Sequence, residues 1–152
     1  MLGAVCGDIV GSIYEYRSIK TTAFPLFGEG CEFTDDSVLT IAVAEALMDG
    51  LDMVACFRAY VRRYPDAGYG GSFKRWAEDP DAGPYNSYGN GAAMRVSAAG
   101  WVAESEAEAL DLAERTAAPT HTTRKASRGP RRRPWRSGWP VKVQTANAWP
   151  EP

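Results

Sequence analysis

The sequence has little histidine and little cysteine: one and three among 152 residues. Cys6, Cys31 and Cys56 are odd in number and show neither close pairing nor metal-ligand spacing. A disulfide framework is therefore excluded, and reduced, mostly buried thiols of a cytoplasmic protein are expected. The lone histidine, His121, reads by itself as an incidental surface residue. No apolar run approaches the length of a membrane span, which excludes a transmembrane helix. The N-terminus lacks the basic start of a secretory signal, and Asp8 interrupts its short apolar stretch. No strand-like alternation competes with helical periodicity, so the fold class is all-α. What remains is a chain long enough for one core, with an ordinary apolar content of 45%.

Charge divides the chain more sharply than any linker. Residues 1–121 carry nine lysines and arginines against eighteen acids, a balance of −9. Residues 122–152 carry eight bases and Glu151 alone, a balance of +7.

A first helix is predicted over residues 2–16. Gly3, Gly7 and Gly11 recur every four positions and share one face of it. Each costs helix stability relative to alanine, so close packing or a ligand is the expected compensation. Asp8 and Glu15 lie two turns apart on nearly the same face. Two carboxylates beside a glycine stripe suit a site, and the alternative is a pair of solvated surface acids. Residues 17–33, with Pro25, Gly28 and Gly30, read as a loop. It delivers Thr34-Asp35-Asp36 to a second helix over 36–48, followed by Gly50. A third amphipathic helix is predicted over 51–63, with Val54, Phe57 and Val61 facing the core, ending at Tyr64-Pro65.

Residues 66–91 are rich in Gly, Pro, Asp, Asn and Ser, with only 73–78 helical. So long a loop inside a compact domain is functional or unstructured. Helical character returns over 92–102 and 104–117, the latter with acids at its start and Pro119 after it.

Two segments carry chemistry. Thr34, Asp35 and Asp36 are hard oxygen donors that suit Mg²⁺, Mn²⁺ or Ca²⁺ rather than zinc; equally, they are good helix N-cap residues. Ser87-Tyr88-Gly89-Asn90-Gly91 reads as a turn, or as a polar loop at a helix start whose N–H groups face a phosphate while Tyr88 packs on a ring.

Taken in order, Gly7-Asp8-x-x-Gly11-x-x-x-Glu15, Thr34-Asp35-Asp36-Ser37, Ser87-Tyr88-Gly89-Asn90-Gly91-Ala92-Ala93-Met94-Arg95 and Thr120-His121 resemble the ADP-ribosylglycohydrolases over residues 1–121. The resemblance implies an all-α fold holding two Mg²⁺ ions (sometimes Mn²⁺) in a cleft. It implies hydrolysis of the glycosidic bond joining ADP-ribose to an acceptor, a protein side chain or a small molecule. Thr34, Asp35 and Asp36 would be metal ligands. Glu15, Asp35 and Asp36 would be the catalytic carboxylates, Glu15 gating or orienting the substrate. Ser87, Tyr88, Gly89, Asn90, Gly91 and His121 would bind the ADP-ribose. The chemistry is coherent, because paired divalent ions orient ribose hydroxyls and acidify a bound water that attacks the anomeric carbon.

The family pattern also requires a later Asp-x-Asp-Thr or Asp-x-Asp-Ser, the other half of the metal site. None follows residue 36; Asp79-Pro80-Asp81 comes nearest but is followed by Ala82. Family members usually carry His-Asn-His-Pro-Glu-Gly at His121, where this chain continues Thr122-Thr123-Arg124-Lys125. Back-translation with one base inserted after the first letter of the Thr122 codon can read His-Asn-His-Pro-Glu-Gly-Ile-Lys-Gly-Ala-Gln-Ala. The expectation is a partial family domain over 1–121 and a basic Pro/Arg/Trp-rich tail over 122–152, out of frame and disordered. A half-site should bind Mg²⁺ poorly, and a truncated helical domain leaves apolar helix faces uncovered, so weak or absent activity and poor solubility are expected. The gene sequence past the Thr120 codon tests this. Two other readings stand beside the enzyme: a catalytically inactive ADP-ribose-binding module, and a nucleic-acid binder acting through the tail, which the acidic body disfavours. No membrane partner is expected.

Overall fold

The computed structural model describes residues 1–121, which are helical with no strand among them. The basic tail and the frame change read into it lie outside the described residues.

Helix α1, Leu2–Gly11, stops before the end the sequence suggested and passes into a 3-10 turn, Ser12–Tyr14. The Ser12 hydroxyl donates back to the Ile9 carbonyl at 2.9 Å, the competition with the helical ladder typical of serine. None of its side chains is fully buried. A Cβ built at Gly3, Gly7 or Gly11 would meet no atom within 4 Å, so the small-residue face is open and no backbone packs on it. That corrects the close-packing expectation for the glycine stripe.

Helix α2, Asp35–Asp49, is the centre of the fold. Eight of its residues are buried, among them Leu39, Ala42, Val43 and Ala46, on more than one face. Thr34 caps its start in an extended conformation, and Gly50 at φ 66° ends it in the left-handed region. Helix α3, Met53–Arg63, begins where the Asp52 carboxylate accepts the Ala55 N–H at 2.7 Å. Helix α4 is Gly71–Glu78. Phe57 of α3 and Phe73 and Trp76 of α4 meet with ring centroids 5.4 to 6.4 Å apart. With Leu39, Val43 and Val61 they form the core, each such buried side chain contributing about 2 kcal/mol.

The helix predicted over 92–102 is two pieces, α5 (Gly91–Met94) and α6 (Ser97–Val102). The break falls at Arg95, whose side chain is turned inward and only 1% exposed. Helix α7, Glu106–Ala117, is capped by Ser105, which accepts the Glu108 N–H, while the Glu108 carboxylate reaches back to the Glu104 N–H. α2 packs on α1, α3 and α6, and α6 on α7. After α7 the chain turns back, and Thr120 and His121 are buried against this assembly.

Candidate functional site

Where the 17–33 loop meets α2, the start of the helix is held by a residue from α1. Asp8 Oδ2 accepts the Thr34 N–H at 2.8 Å and the Ser37 N–H at 3.1 Å. Asp8 Oδ1 accepts the Thr34 hydroxyl proton. The same Thr34 oxygen accepts the Asp36 N–H at 3.3 Å. A carboxylate at a helix N-terminus is favoured by the unpaired N–H groups there. The N-cap reading of Thr34 is thus correct as far as it goes. By donating its proton to Asp8, Thr34 also keeps an oxygen lone pair for another partner.

Around this junction lies a cavity of about 630 Å³ lined by Asp8, Glu15, Thr34, Asp35 and Asp36. Like charges confined together resist ionisation. Burial first, then Asp36, Glu15 and Asp8, push the Asp35 carboxyl up from 3.8 to about 7. Burial, Asp8 and Glu15 also raise Asp36. Such a pocket favours a proton or a cation. Among the described residues no three His, Cys, Asp or Glu side chains are gathered in a group that would hold a metal. The Thr34, Asp35 and Asp36 oxygens fit a hard cation in donor type.

A second cavity, of about 430 Å³, adjoins the first and shares Asp35, Gly70, Asn90 and Met94 with it. Its wall is the whole Ser87–Gly91 segment together with His121 and Arg95. The chain enters that segment through Asn86 at φ 57°, a left-handed conformation asparagine tolerates. Ser87 Oγ then accepts the Gly89 N–H at 3.1 Å, so the segment is a turn and also a cavity wall. The helix after it, α5, is only four residues long. The Ser87 N–H donates to the Thr120 carbonyl at 2.8 Å, which fastens the segment to the chain after α7.

His121 is not a surface residue; it is 7% exposed and both ring nitrogens are engaged. Nδ1 meets Thr120 Oγ1 at 2.8 Å and Nε2 meets the Gly89 carbonyl at 3.2 Å. Burial, reinforced by the Arg95 charge, holds its pKa below the usual histidine value, against the Gly89 contact. Arg95 donates through Nε and Nη2 to the Thr116 carbonyl and through Nη2 to Thr120 Oγ1 at 2.7 Å. Its guanidinium sits 4.5 Å above the Phe57 ring. Burial lowers it to about 10.

All the candidate site residues from the sequence therefore fall on two adjoining cavities: Glu15, Thr34, Asp35 and Asp36 on one, Ser87, Tyr88, Gly89, Asn90, Gly91 and His121 on the other, with Asp35 and Asn90 on both. Asp8, Arg95 and Thr120 all lie inside the sequence motifs, and Asp8 was expected with Glu15 at a site, but only the fold shows what each of them holds.

Residues 1–129 match the family model of the ADP-ribosylglycohydrolases. The chain is similar to the ADP-ribosylhydrolase ARH3 of Mus musculus, 28% identical across 81% of this chain and 43% of that protein. It is 29% identical to the ARH3 of Xenopus tropicalis across 63% of this chain and 36% of that protein. For Homo sapiens ARH3 the values are 27%, 81% and 44%. The chain thus spans less than half the length of these curated relatives.

Proposed function

From the premise that this chain belongs to the ADP-ribosylglycohydrolase family, we propose that its two adjoining cavities take ADP-ribose linked to an acceptor and serve hydrolysis of the glycosidic bond between them. The acceptor is a protein side chain or a small molecule. The observation that carries this reading is the position of Asp35, which lines both the acidic cavity and the Ser87–Gly91 cavity. A substrate lying along the loop would bring its reacting end to the carboxylates. The names of the relatives, all ADP-ribosylhydrolases, support the same class of substrate.

Each residue group has a part. The Ser87–Gly91 loop, with Tyr88 89% exposed, holds the nucleotide portion. Glu15, exposed on the rim of the acidic cavity, orients the bound substrate. Thr34, Asp35 and Asp36 would hold Mg²⁺ or Mn²⁺, which when bound supplies charge stabilisation and a more acidic water. Asp8 keeps the Thr34 hydroxyl turned and the start of α2 fixed. Asp35 and Asp36, raised by burial and by their neighbours, would release protons more readily with a cation bound.

Calorimetry and a release assay on the purified chain test this. ADP-ribose should bind, more tightly with Mg²⁺ than with EDTA, and slow release of ADP-ribose from an ADP-ribosylated peptide should stop with EDTA or with Asp35→Asn. Absence of both binding and EDTA-sensitive release refutes the proposal. Binding without any release identifies a non-catalytic ADP-ribose-binding module instead.

A further inference from the structure

The hydrogen-bond directions around His121 can be worked out from donor and acceptor chemistry alone. Arginine has only donors, so Thr120 Oγ1 accepts from Arg95 Nη2 at 2.7 Å. Nε2 faces the Gly89 carbonyl at 3.2 Å, which can only accept, so Nε2 carries the ring proton. In the neutral ring Nδ1 is then bare, and the Thr120 hydroxyl, 2.8 Å away, donates to it. Every member of the chain has one consistent role, from the Arg95 N–H through the Thr120 hydroxyl and the His121 ring to the Gly89 carbonyl.

This relay connects the core to the loop. Arg95 is 1% exposed, seated on Phe57 and fastened to the Thr116 carbonyl, so its position is fixed by the helices rather than by the loop. Gly89 is exposed and lies in the turn that walls the cavity. A second tie, from the Ser87 N–H to the Thr120 carbonyl, ends on the same residue of the post-α7 segment. Thr120 thus fixes the turn at two points, directly at Ser87 and through the histidine at Gly89.

We propose that Arg95 and Thr120 are positioning residues that lock the His121 ring through its bare Nδ1 and thereby hold the Ser87–Gly91 turn in the shape that accepts a ligand. The ligand part of this statement rests on the function proposed above; the clamp itself does not. His121 then acts through the turn as its latch, and Arg95 acts through Thr120. Polar chains of this kind, satisfied at every member, rigidify and specify a single arrangement.

The chain has one histidine, so its ring nitrogens give one unambiguous set of signals in a long-range ¹⁵N–¹H spectrum. The native chain should show protonated Nε2 and a bare Nδ1 shifted by an accepted hydrogen bond. Thr120→Val keeps the shape and deletes the hydroxyl. It should move Nδ1 to the value of an unbonded nitrogen and speed amide exchange across residues 87–91. Thr120→Ser should restore both. ADP-ribose affinity should fall about tenfold in Thr120→Val. Arg95→Lys, which keeps the charge and loses the fork, should weaken it too, and the double variant should be no worse than the weaker single one. A proton on Nδ1 in the native chain, or unchanged Nδ1 and loop signals in Thr120→Val, overturns the proposal. Additive losses in the double variant overturn the Arg95 part. The spectra need no ligand, so a native chain that binds no ADP-ribose defeats the proposed function while the clamp is still decided.

Discussion

Burial and neighbouring carboxylates hold the Asp35 carboxyl above its ordinary range, and the sign of that shift can be followed through to stability. The carboxyl is raised from 3.8 to about 7, so the folded chain holds that proton more tightly than the unfolded chain does. The resulting stability is complete below pH 3.8 and is lost as pH rises through about 7. Asp35→Asn removes the charge and keeps the shape. In urea unfolding it should gain on the native chain as pH rises from 4 to 8, with most of the gain present above 7. A difference independent of pH would contradict the assignment. His121 has the opposite sign: its lowered pKa gives stability above its ordinary 6.5 that disappears as pH falls through the folded value. Asp8 poses a contest of two effects. Its charge raises both Asp35 and Asp36, so removing it relieves repulsion. It also accepts three hydrogen bonds at the start of α2. Hydrogen bonds to a charged, partly buried acceptor outweigh repulsion between carboxylates that water screens, so Asp8→Ala should cost about 2 kcal/mol in denaturant unfolding. A neutral or stabilising result would mean repulsion dominates.

Apart from the end of α1 at its Ser12 turn, the elements whose ends are set by neighbouring residues were readable, and those set by distant ones were not. Asp52 and Ser105 bond to N–H groups three residues ahead, so α3 and α7 begin with local capping chemistry. Gly50 does the same for the end of α2. At φ 66° it has a backbone that L side chains rarely adopt, and Gly50→Ala should cost about 1 kcal/mol, seen as a lower unfolding midpoint with an unchanged denaturant slope. The break at Arg95 depends on Thr116 and Thr120, more than twenty residues on, and no helical period in the sequence contains it. The close-packing half of the expectation for the α1 glycines failed for a related reason, although Gly7 and Gly11 do line the acidic cavity. Spacing of four shows that small residues share a face, but not whether a helix or a cavity lies there. The site was legible in the order of its motifs, since Thr34-Asp35-Asp36 and Ser87–Gly91 do wall neighbouring cavities. Its supports were not. Asp8 acts across 26 residues, and the His121 latch needs Gly89 from 32 residues earlier.

On the scale of the whole described molecule, apolar burial and site chemistry are unevenly distributed. α2, α3, α4 and α6 share the core, whereas α1 buries no side chain fully and leaves Leu2 81% exposed. Yet α1 and the turn after it deliver Asp8 and Glu15 to the acidic cavity. Its attachment is therefore largely polar, through the Asp8 clamp on Thr34 and Ser37 and the bond from the Glu32 N–H to Ser12 Oγ. An element held by few buried contacts opens locally at a free energy well below that of the whole fold. On the proposed function, a cation in the acidic cavity would reduce the repulsion that Asp8 and Glu15 exert on Asp35 and Asp36 and so tighten the junction between α1 and α2. Hydrogen exchange should accordingly be fast across α1 and slow across α2 in metal-free buffer, and Mg²⁺ or Mn²⁺ should slow α1 selectively. The Asp35→Asn, Asp36→Asn double variant should lose that response while keeping the slow exchange of α2. If α1 is as protected as α2 without metal, or if the cation slows α1 equally in the double variant, then α1 is held by something other than the acidic junction.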